Sequence, residues 1–431
     1  MASSLIILLM VAIFLGAGMW IFAGLIAVGI GTLAFLLDFS LMRIGSISSK
    51  VISSSAVSWE LAAIPIFIWM GDMIFRTDIS QRLFRGLSPL VGRIPGGLLH
   101  TNVIGCTIFA AISGSSNATT ATVGKITIPE LMKRGYDLNL ASGSLAGAGT
   151  FGLLIPPSIA MIIYGVLAEV SIVKLFAAGL VPGLMMAALY SGYIIIVSLL
   201  RPDINPPPTE KATGRDIAKG LLELFPVVAL MVLVLGSIYS GLATPSEAAA
   251  VGVAATLVII LLTKQFSWEM FSGSLMTTIR LSAMICILIA AASFLSATFA
   301  FLHLPNQITE AIAKLELSPL GVLAILAALY IVLGMFIDGT SMTVMTVPIA
   351  VPMIIQAGYD PIWFGVFLVI MIELSALTPP VGLNLYILQG LTSESLGRTI
   401  RSVFPFFLIL CLGTALLVMF PEIALWLPSK L

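Results

Sequence analysis

The chain has 431 residues, 59% of them apolar and only 9% charged, with 20 basic residues balancing 20 acidic ones. A soluble domain is usually about a quarter charged. At a mean hydropathy of +1.14 there is too little charge to coat a water-soluble particle of this size. That excludes an ordinary soluble enzyme, a disordered chain and a nucleic-acid binder, and leaves a polytopic membrane protein. Its apolar runs are continuous where a membrane barrel would alternate, so the fold class is all-α.

In chain order, the stretch from Met1 to Leu37 is too long and too poor in basic residues for a simple signal peptide. It reads as two helices broken around Gly16–Gly18. Full crossings need about 20 residues. Candidates are 4–19, 20–37, 60–75, 138–168, 174–200, 221–240, 247–263, 278–300, 361–391 and 402–420. Segment 38–60 is either an amphipathic arm lying in the interface or a plain loop.

Two apolar stretches, 95–132 and 318–357, do not fit as single spans. Each carries a polar knot in its middle, at 113–120 (SGSSNATT) and 338–343 (DGTSMT). Each suits a re-entrant hairpin whose tip rests against protein or a watery cavity, because exposed loops cannot sit in hydrocarbon. Two crossings also break mid-span, at GTFGLLIPPS (149–158) and LTPPVGLN (377–384). A Pro-Pro pair removes two backbone donors and drives the preceding residue out of helix.

These four features form an internal repeat at a shift of 223 residues. Pro129 falls on Pro352, Gly135-Tyr136-Asp137 on Gly358-Tyr359-Asp360, Pro156-Pro157 on Pro379-Pro380, and Pro182 on Pro405. The chain therefore reads as a first repeat over 1–200, a hydrophilic linker over 201–219 and a second repeat over 220–431. With the termini outside, the loops around 76–93, 133–134, 201–219, 264 and 398–401 face the cytoplasm and hold 13 of the 20 basic residues. Arg43, Lys50, Lys174, Lys314 and Lys430 then face outside, and the repeats are inverted. Inverted repeats with broken helices and polar tips are the pattern of a secondary transporter.

The first tip and break supply neutral oxygens from Ser113, Ser115, Ser116, Asn117, Thr119, Thr120 and Thr150, with loop carbonyls at Gly149 and Ile155. A small hard cation accepts such donors; small residues that merely pack helices closely are the alternative reading. The second tip and break offer Asp338, Thr340, Ser341, Thr343, Thr378 and Asn384. Glu373 is an acid inside an apolar span, able to hold a cation, carry a proton or pair with a base. Position 373 corresponds to Thr150 under the shift. Glu60, Asp72, Glu130, Glu169 and Glu247 read as caps or interfacial residues, and His100 and His303 as interfacial. Cys106, Cys286 and Cys411 have no metal or disulfide spacing and read as small buried hydrophobes. A Ser-His intramembrane protease using Ser115 or Ser116 with His100 does not suit two inverted copies, and there is no P-loop, so no enzyme activity is expected.

The elements ISGSSNATTATVG (112–124), GTFGLLIPPS (149–158), GMFIDGTSMTVMTVPI (334–349) and LTPPVGLNLYILQG (377–390) resemble the large membrane subunit of tripartite ATP-independent periplasmic (TRAP) transporters of the DctM type. The resemblance runs essentially from end to end. It implies sodium-driven uptake of an organic acid, such as a C4-dicarboxylate or a sialic acid, across a bacterial inner membrane. It also implies a periplasmic substrate-binding protein, a small four-helix membrane subunit expected as a separate chain, and an elevator fold like that of the ion transporter superfamily. Carried onto this chain, one sodium site uses Ser113, Ser115, Ser116 and Asn117 with Gly149, Thr150 and Pro156. The other uses Asp338, Gly339 and Thr340 with Thr378, Pro379 and Gly382. Substrate would lie between the tips, at Ser116, Asn117, Thr119, Ser341, Thr343 and Asn384. No organic cofactor and no nucleic acid is expected. A single-component sodium/anion elevator without a binding protein is the alternative, and a channel or intramembrane hydrolase the reading from another class.

Overall fold

The computed structural model describes residues 10, 13–14, 18–202, 212–303, 307, 318–380 and 382–431. Most of the expected first crossing at 4–19, residues 203–211 of the linker and Lys314 lie outside them. The described residues form helices and no strand. The first ten are α1 (Ile21–Phe35), α2 (Leu41–Ala56), α3 (Ala63–Phe75), α4 (Ile79–Val91), α5 (His100–Ser113), α6 (Ser116–Lys133), α7 (Leu138–Gly149), α8 (Phe151–Leu154), α9 (Ile159–Leu167) and α10 (Ile172–Leu200). Then follow α11 (Gly214–Tyr239), α12 (Pro245–Leu262), α13 (Trp268–Phe301), α14 (Pro319–Gly334), α15 (Gly339–Gln356), α16 (Pro361–Ala376), α17 (Leu383–Thr392), α18 (Leu396–Met419) and α19 (Glu422–Leu425). Seven helices among the described residues are long and apolar enough to cross a membrane, counting α7 to α9 as one broken span.

Local chemistry explains where these helices begin and end. In Gly-Tyr-Asp, Gly135 and Gly358 take left-handed φ values of 81° and 88° just past α6 and α15, a conformation that costs glycine nothing. The aspartates then cap the next helices. Asp137 accepts from the Leu140 amide at 2.8 Å, and Asp360 from those of Ile362 and Trp363. Ser115 and Asp338 likewise cap α6 and α15. The expected span at 278–300 starts ten residues earlier, as α13, because the Ser267 side chain caps it at the Met270 amide.

Burial sorts the helices into two layers. On α16 every residue from Trp363 to Ser375 is buried, and on α7 every residue from Leu140 to Gly149. A helix buried all round belongs to the centre of a bundle. α7 can be there because its Gly, Ala and Ser residues admit close neighbours; a Cβ on Gly143 would stand 2.2 Å from the Ser402 carbonyl oxygen of α18. By contrast, α11 exposes Leu221, Leu222, Phe225 and Val232, an apolar face suited to lipid.

The contacts recur under the shift of 223 residues. It carries α6 onto α15 from first residue to last. α6 packs on α17 and α15 on α9; α7 packs on α18 and α16 on α10; α3 packs on α12 and α13 on α1. One difference stands out. α13 is a single helix of 34 residues, whereas the equivalent stretch is bent by 52° between α2 and the segment Trp59–Phe75. The 38–60 segment is thus a helix and not a loop. Ser40 caps it, Arg43 lies 3.6 Å over the Phe39 ring, and Ile44 is its one buried residue. His100 is a correction: it is 1% exposed, because the turn before α5 folds under and brings the Pro95 carbonyl within 2.9 Å of Nε2. His303 is exposed.

Candidate functional site

Two helix-turn-helix hairpins, α5–α6 and α14–α15, place the two polar knots at their tips. In the first tip the Ser113 and Thr119 hydroxyls share a hydrogen bond of 2.6 Å, and Ser115 caps α6 through the Ala118 amide. Ser113, Ser116, Thr119 and Thr120 are buried, while Asn117 is exposed. The tip rests on the first break. A Cβ on Gly152 would lie 2.4 Å from the Ser115 carbonyl oxygen and 2.6 Å from the Ser116 Cα. One on Gly149 would lie 1.9 Å from the Thr120 hydroxyl. Thr150 is buried and donates to the Gly147 carbonyl at 2.6 Å. Pro156 and Pro157 are buried beside it.

At the second tip, Asp338 accepts from the Thr340 and Ser341 amides at 3.0 and 3.1 Å and from the Ser341 hydroxyl at 2.5 Å. Asp338 is exposed and Ser341 buried. Thr343 is buried and donates to the Gly339 carbonyl at 2.8 Å, and Thr378 donates to that of Leu374 at 2.7 Å. The second break opens outward more than the first, with Pro379 and Pro380 exposed; Gly382 begins α17.

The last turns of α16 stand between the two tips. Ile372 fills the space beside Gly339, its Cγ2 2.3 Å from where a Cβ would be. The next residue, Glu373, accepts the Ser116 hydroxyl of the first tip at 2.8 Å. From the far side of the second break, the Asn384 amide donates to Ser116 Oγ at 2.9 Å, and Thr120 donates to Asn384 Oδ1 at 3.3 Å. Asn384, read from sequence with the second tip, is therefore bonded to the first. Glu373, an acid noted but not assigned to either site, is part of the same cluster. Its signal was an acid inside an apolar run; its partner is 257 residues away in sequence and no local pattern points to it.

Asn384→Ala should lower stability by about 1–3 kcal/mol, the cost of leaving buried polar partners unmade. Thermal unfolding of the detergent-solubilised protein checks this. A midpoint equal to that of wild type would show that the cluster does not hold the halves together.

A cavity of about 1300 Å³ opens between α4, α6 and α11. Arg85, Arg93, Lys125, Arg134 and Lys219 line it against Glu130, Asp216 and Glu223. Glu130 pairs with Arg134 at 2.7 Å, and Arg93 reaches the Ala212 carbonyl at 3.4 Å. The lining thus carries an excess of basic groups, a field that draws anions.

A helical membrane bundle with two polar hairpin tips set on interrupted helices is the architecture of a secondary carrier. The chain belongs to the family described as the DctM component of the tripartite ATP-independent periplasmic transporter, whose model matches residues 6–423. It is 34% identical over 402 residues to the C4-dicarboxylate TRAP transporter large permease protein DctM of Pseudomonas aeruginosa, covering 93% of each chain. It is 32% identical to the ectoine/5-hydroxyectoine TRAP transporter large permease protein of Ruegeria pomeroyi, over 85% of this chain and 86% of that one. The fold is similar to that of the YdaH transporter of Alcanivorax borkumensis, with a TM-score of 0.58 over 90% of this chain and 88% of that one at 16% identity.

Proposed function

We propose that this large membrane subunit imports an organic acid by sodium symport, receiving it from a periplasmic binding protein while a small four-helix membrane subunit steadies the outer layer. The observation that carries the reading is the placement of α16 between the tips, with Ile372 against the second and Glu373 against the first. One rigid helix end can register whether both tips are closed, which is what coupling of ion and substrate requires. The oxygens of Ser113, Ser115, Thr150 and the loop carbonyls suit sodium at the first tip, and those around Thr340 and Thr378 at the second. Asn117, exposed at its tip, would offer its amide oxygen to the first sodium and its amide N–H groups to a substrate carboxylate beside the amino end of α6. A C4-dicarboxylate is the leading substrate class, by likeness to the Pseudomonas aeruginosa relative. The basic cavity serves as the exit for the anion, because its walls come from loops that the distribution of Lys and Arg assigns to the cytoplasm. The inner bundle carries the tips across the membrane against α1–α4 and α11–α13, as an elevator.

Sodium activation of uptake tests the site. Asn117→Leu and Thr378→Val each remove a ligand oxygen, and each should raise the sodium concentration for half-maximal uptake by about 5- to 100-fold, from about 1–3 kcal/mol per lost polar partner. Unchanged sodium activation in both would mean that the tips only pack helices. The inverted arrangement is tested separately. Cysteines placed at 133–134 should label only from the cytoplasmic side and those at 358–360 only from the periplasmic side. Labelling of both from one side would contradict it.

A further inference from the structure

Some of the cations that line the cavity between α4, α6 and α11 have no acidic partner among the described residues. Arg134 is paired with Glu130 at 2.7 Å, and Arg85 lies 3.9 Å from both Asp78 and Glu223. Lys125, Lys219 and Arg93 enter none of the ion pairs among the described residues. Arg93 gives one N–H to the Ala212 carbonyl and keeps the rest of its fork. Asp216, which also lines the cavity, is engaged in the cap of α11: its Oδ2 accepts the Thr213 amide at 2.9 Å and the Thr213 hydroxyl at 2.6 Å.

These cations stand on two bodies. Lys125 belongs to α6, which packs on α5, α7 and α17 of the inner bundle. It lies eight residues beyond Asn117, about 12 Å along the helix from the first tip. Arg93 follows α4, and Lys219 lies on α11. Those two helices are locked together. A Cβ on Gly86 would lie 2.7 Å from the Gly220 carbonyl oxygen, and one on Gly220 2.7 Å from that of Gly86. Backbones that close make α4 and α11 one wall. The cavity between this wall and α6 has room for a small solute, at about 1300 Å³, and its lining includes the apolar Phe84, Ile94 and Ile126. Low-dielectric walls focus the field of like charges into a cleft and gather counter-ions there. The attraction scales with the charge of the anion, so two charges are held better than one.

We propose that Lys125, Arg93 and Lys219 form a second anion site, separate from the tips, that takes a small soluble dianion, a dicarboxylate or inorganic phosphate, and ties the first hairpin to the α4–α11 wall. The site is complete only while α6 lies against that wall. If the inner bundle slides, Lys125 leaves with it and the other two cations stay. A ligand that binds one arrangement and not the other holds the protein in the first. The consequence rests on the carrier reading: a dianion that builds up on the cytoplasmic side delays the return of the inner bundle, and uptake is braked as product accumulates. Binding of the dianion depends neither on that reading nor on sodium.

The experiment follows reductive methylation of lysines, which keeps their charge, by mass spectrometry on the chain and its small subunit in phosphatidylcholine nanodiscs without sodium. Succinate, inorganic phosphate and chloride are compared at one ionic strength. Either dianion, at about ten times its dissociation constant, should slow methylation of Lys125 and Lys219 about tenfold. Lys174, exposed and outside the cavity, should not change. Arg93→Ala, at an exposed position, should weaken the protection. Protection by only one dianion would support the site and name its source. No protection, equal protection by chloride, or protection unchanged in Arg93→Ala would each overturn the proposal. So would protection without added dianion in nanodiscs of phosphatidylglycerol, which would assign the cavity to lipid headgroups. Right-side-out vesicles preloaded with phosphate should take up substrate more slowly than those preloaded with chloride, and the difference should vanish in Lys219→Ala. Wild-type uptake indifferent to internal phosphate would overturn the braking role. Protection of both lysines with no sodium-driven uptake in any sample would support the anion site and count against the carrier reading.

Discussion

Gly152→Ala is expected to cut sodium-driven uptake by about 5- to 100-fold while leaving membrane insertion intact. The added methyl would stand 2.4 Å from the Ser115 carbonyl oxygen, 2.5 Å from its carbon and 2.6 Å from the Ser116 Cα. All three are backbone atoms of the first tip, so no side-chain rotation relieves the contact. Overpacking of this kind costs about 1–3 kcal/mol, and each 1.4 kcal/mol is about a factor of ten. The tip would shift away from the first break, separating the oxygens that suit sodium and lengthening the Ser116–Glu373 hydrogen bond. Gly149→Ala should do less, since the atom it meets most closely is the Thr120 hydroxyl, with the Thr120 Cβ at 3.0 Å and its backbone Cα no nearer than 3.5 Å. Gly192→Ala on α10 meets nothing within 4 Å and should match or slightly exceed wild type in stability. Uptake in vesicles by the three variants, normalised to inserted protein, measures the difference. Equal uptake in Gly152→Ala and Gly192→Ala would show that tip placement does not matter.

What the sequence made legible is what depends on neighbouring residues. The Gly-Tyr-Asp turns, the caps at Ser115 and Asp338, and the Pro-Pro breaks act within four or five residues, and each falls where the local chemistry put it. The repeat was legible because the same local chemistry occurs twice at one offset. The exchange of partners was not. α6 sits on α17 and α15 on α9, so the segment after each break packs on the hairpin of the other half. That exchange is set by packing between elements far apart in the chain, and it moved Asn384 from the second tip to the first. Likewise the apolar run around Glu373 marked it as unusual but could not tell a paired acid from an unpaired one. The unequal exposure of the two breaks, with Pro156 buried and Pro379 open, also has no sequence signal, since both read Pro-Pro.

The second large effect concerns partners and driving force. The described residues contain no soluble domain able to capture a dilute solute from the periplasm, and under the proposed elevator motion the apolar faces of α11 and α12 would need a neighbour to stay still. Uptake is therefore expected to be lost, not merely slowed, when the binding protein or the small membrane subunit is omitted. Under the proposed symport, sodium held high outside would drive inward movement, because ions bound with the substrate would dissociate into a cytoplasm poor in sodium. ATP should not substitute, since the chain has no phosphate-binding loop. The most direct measurement is uptake of a labelled C4-dicarboxylate into vesicles holding this chain, the small subunit and the loaded binding protein. Each component and the sodium gradient are removed in turn. Accumulation is expected only when all three proteins and outward-high sodium are present; accumulation by this chain alone, or accumulation indifferent to sodium, would contradict sodium-coupled, three-component uptake.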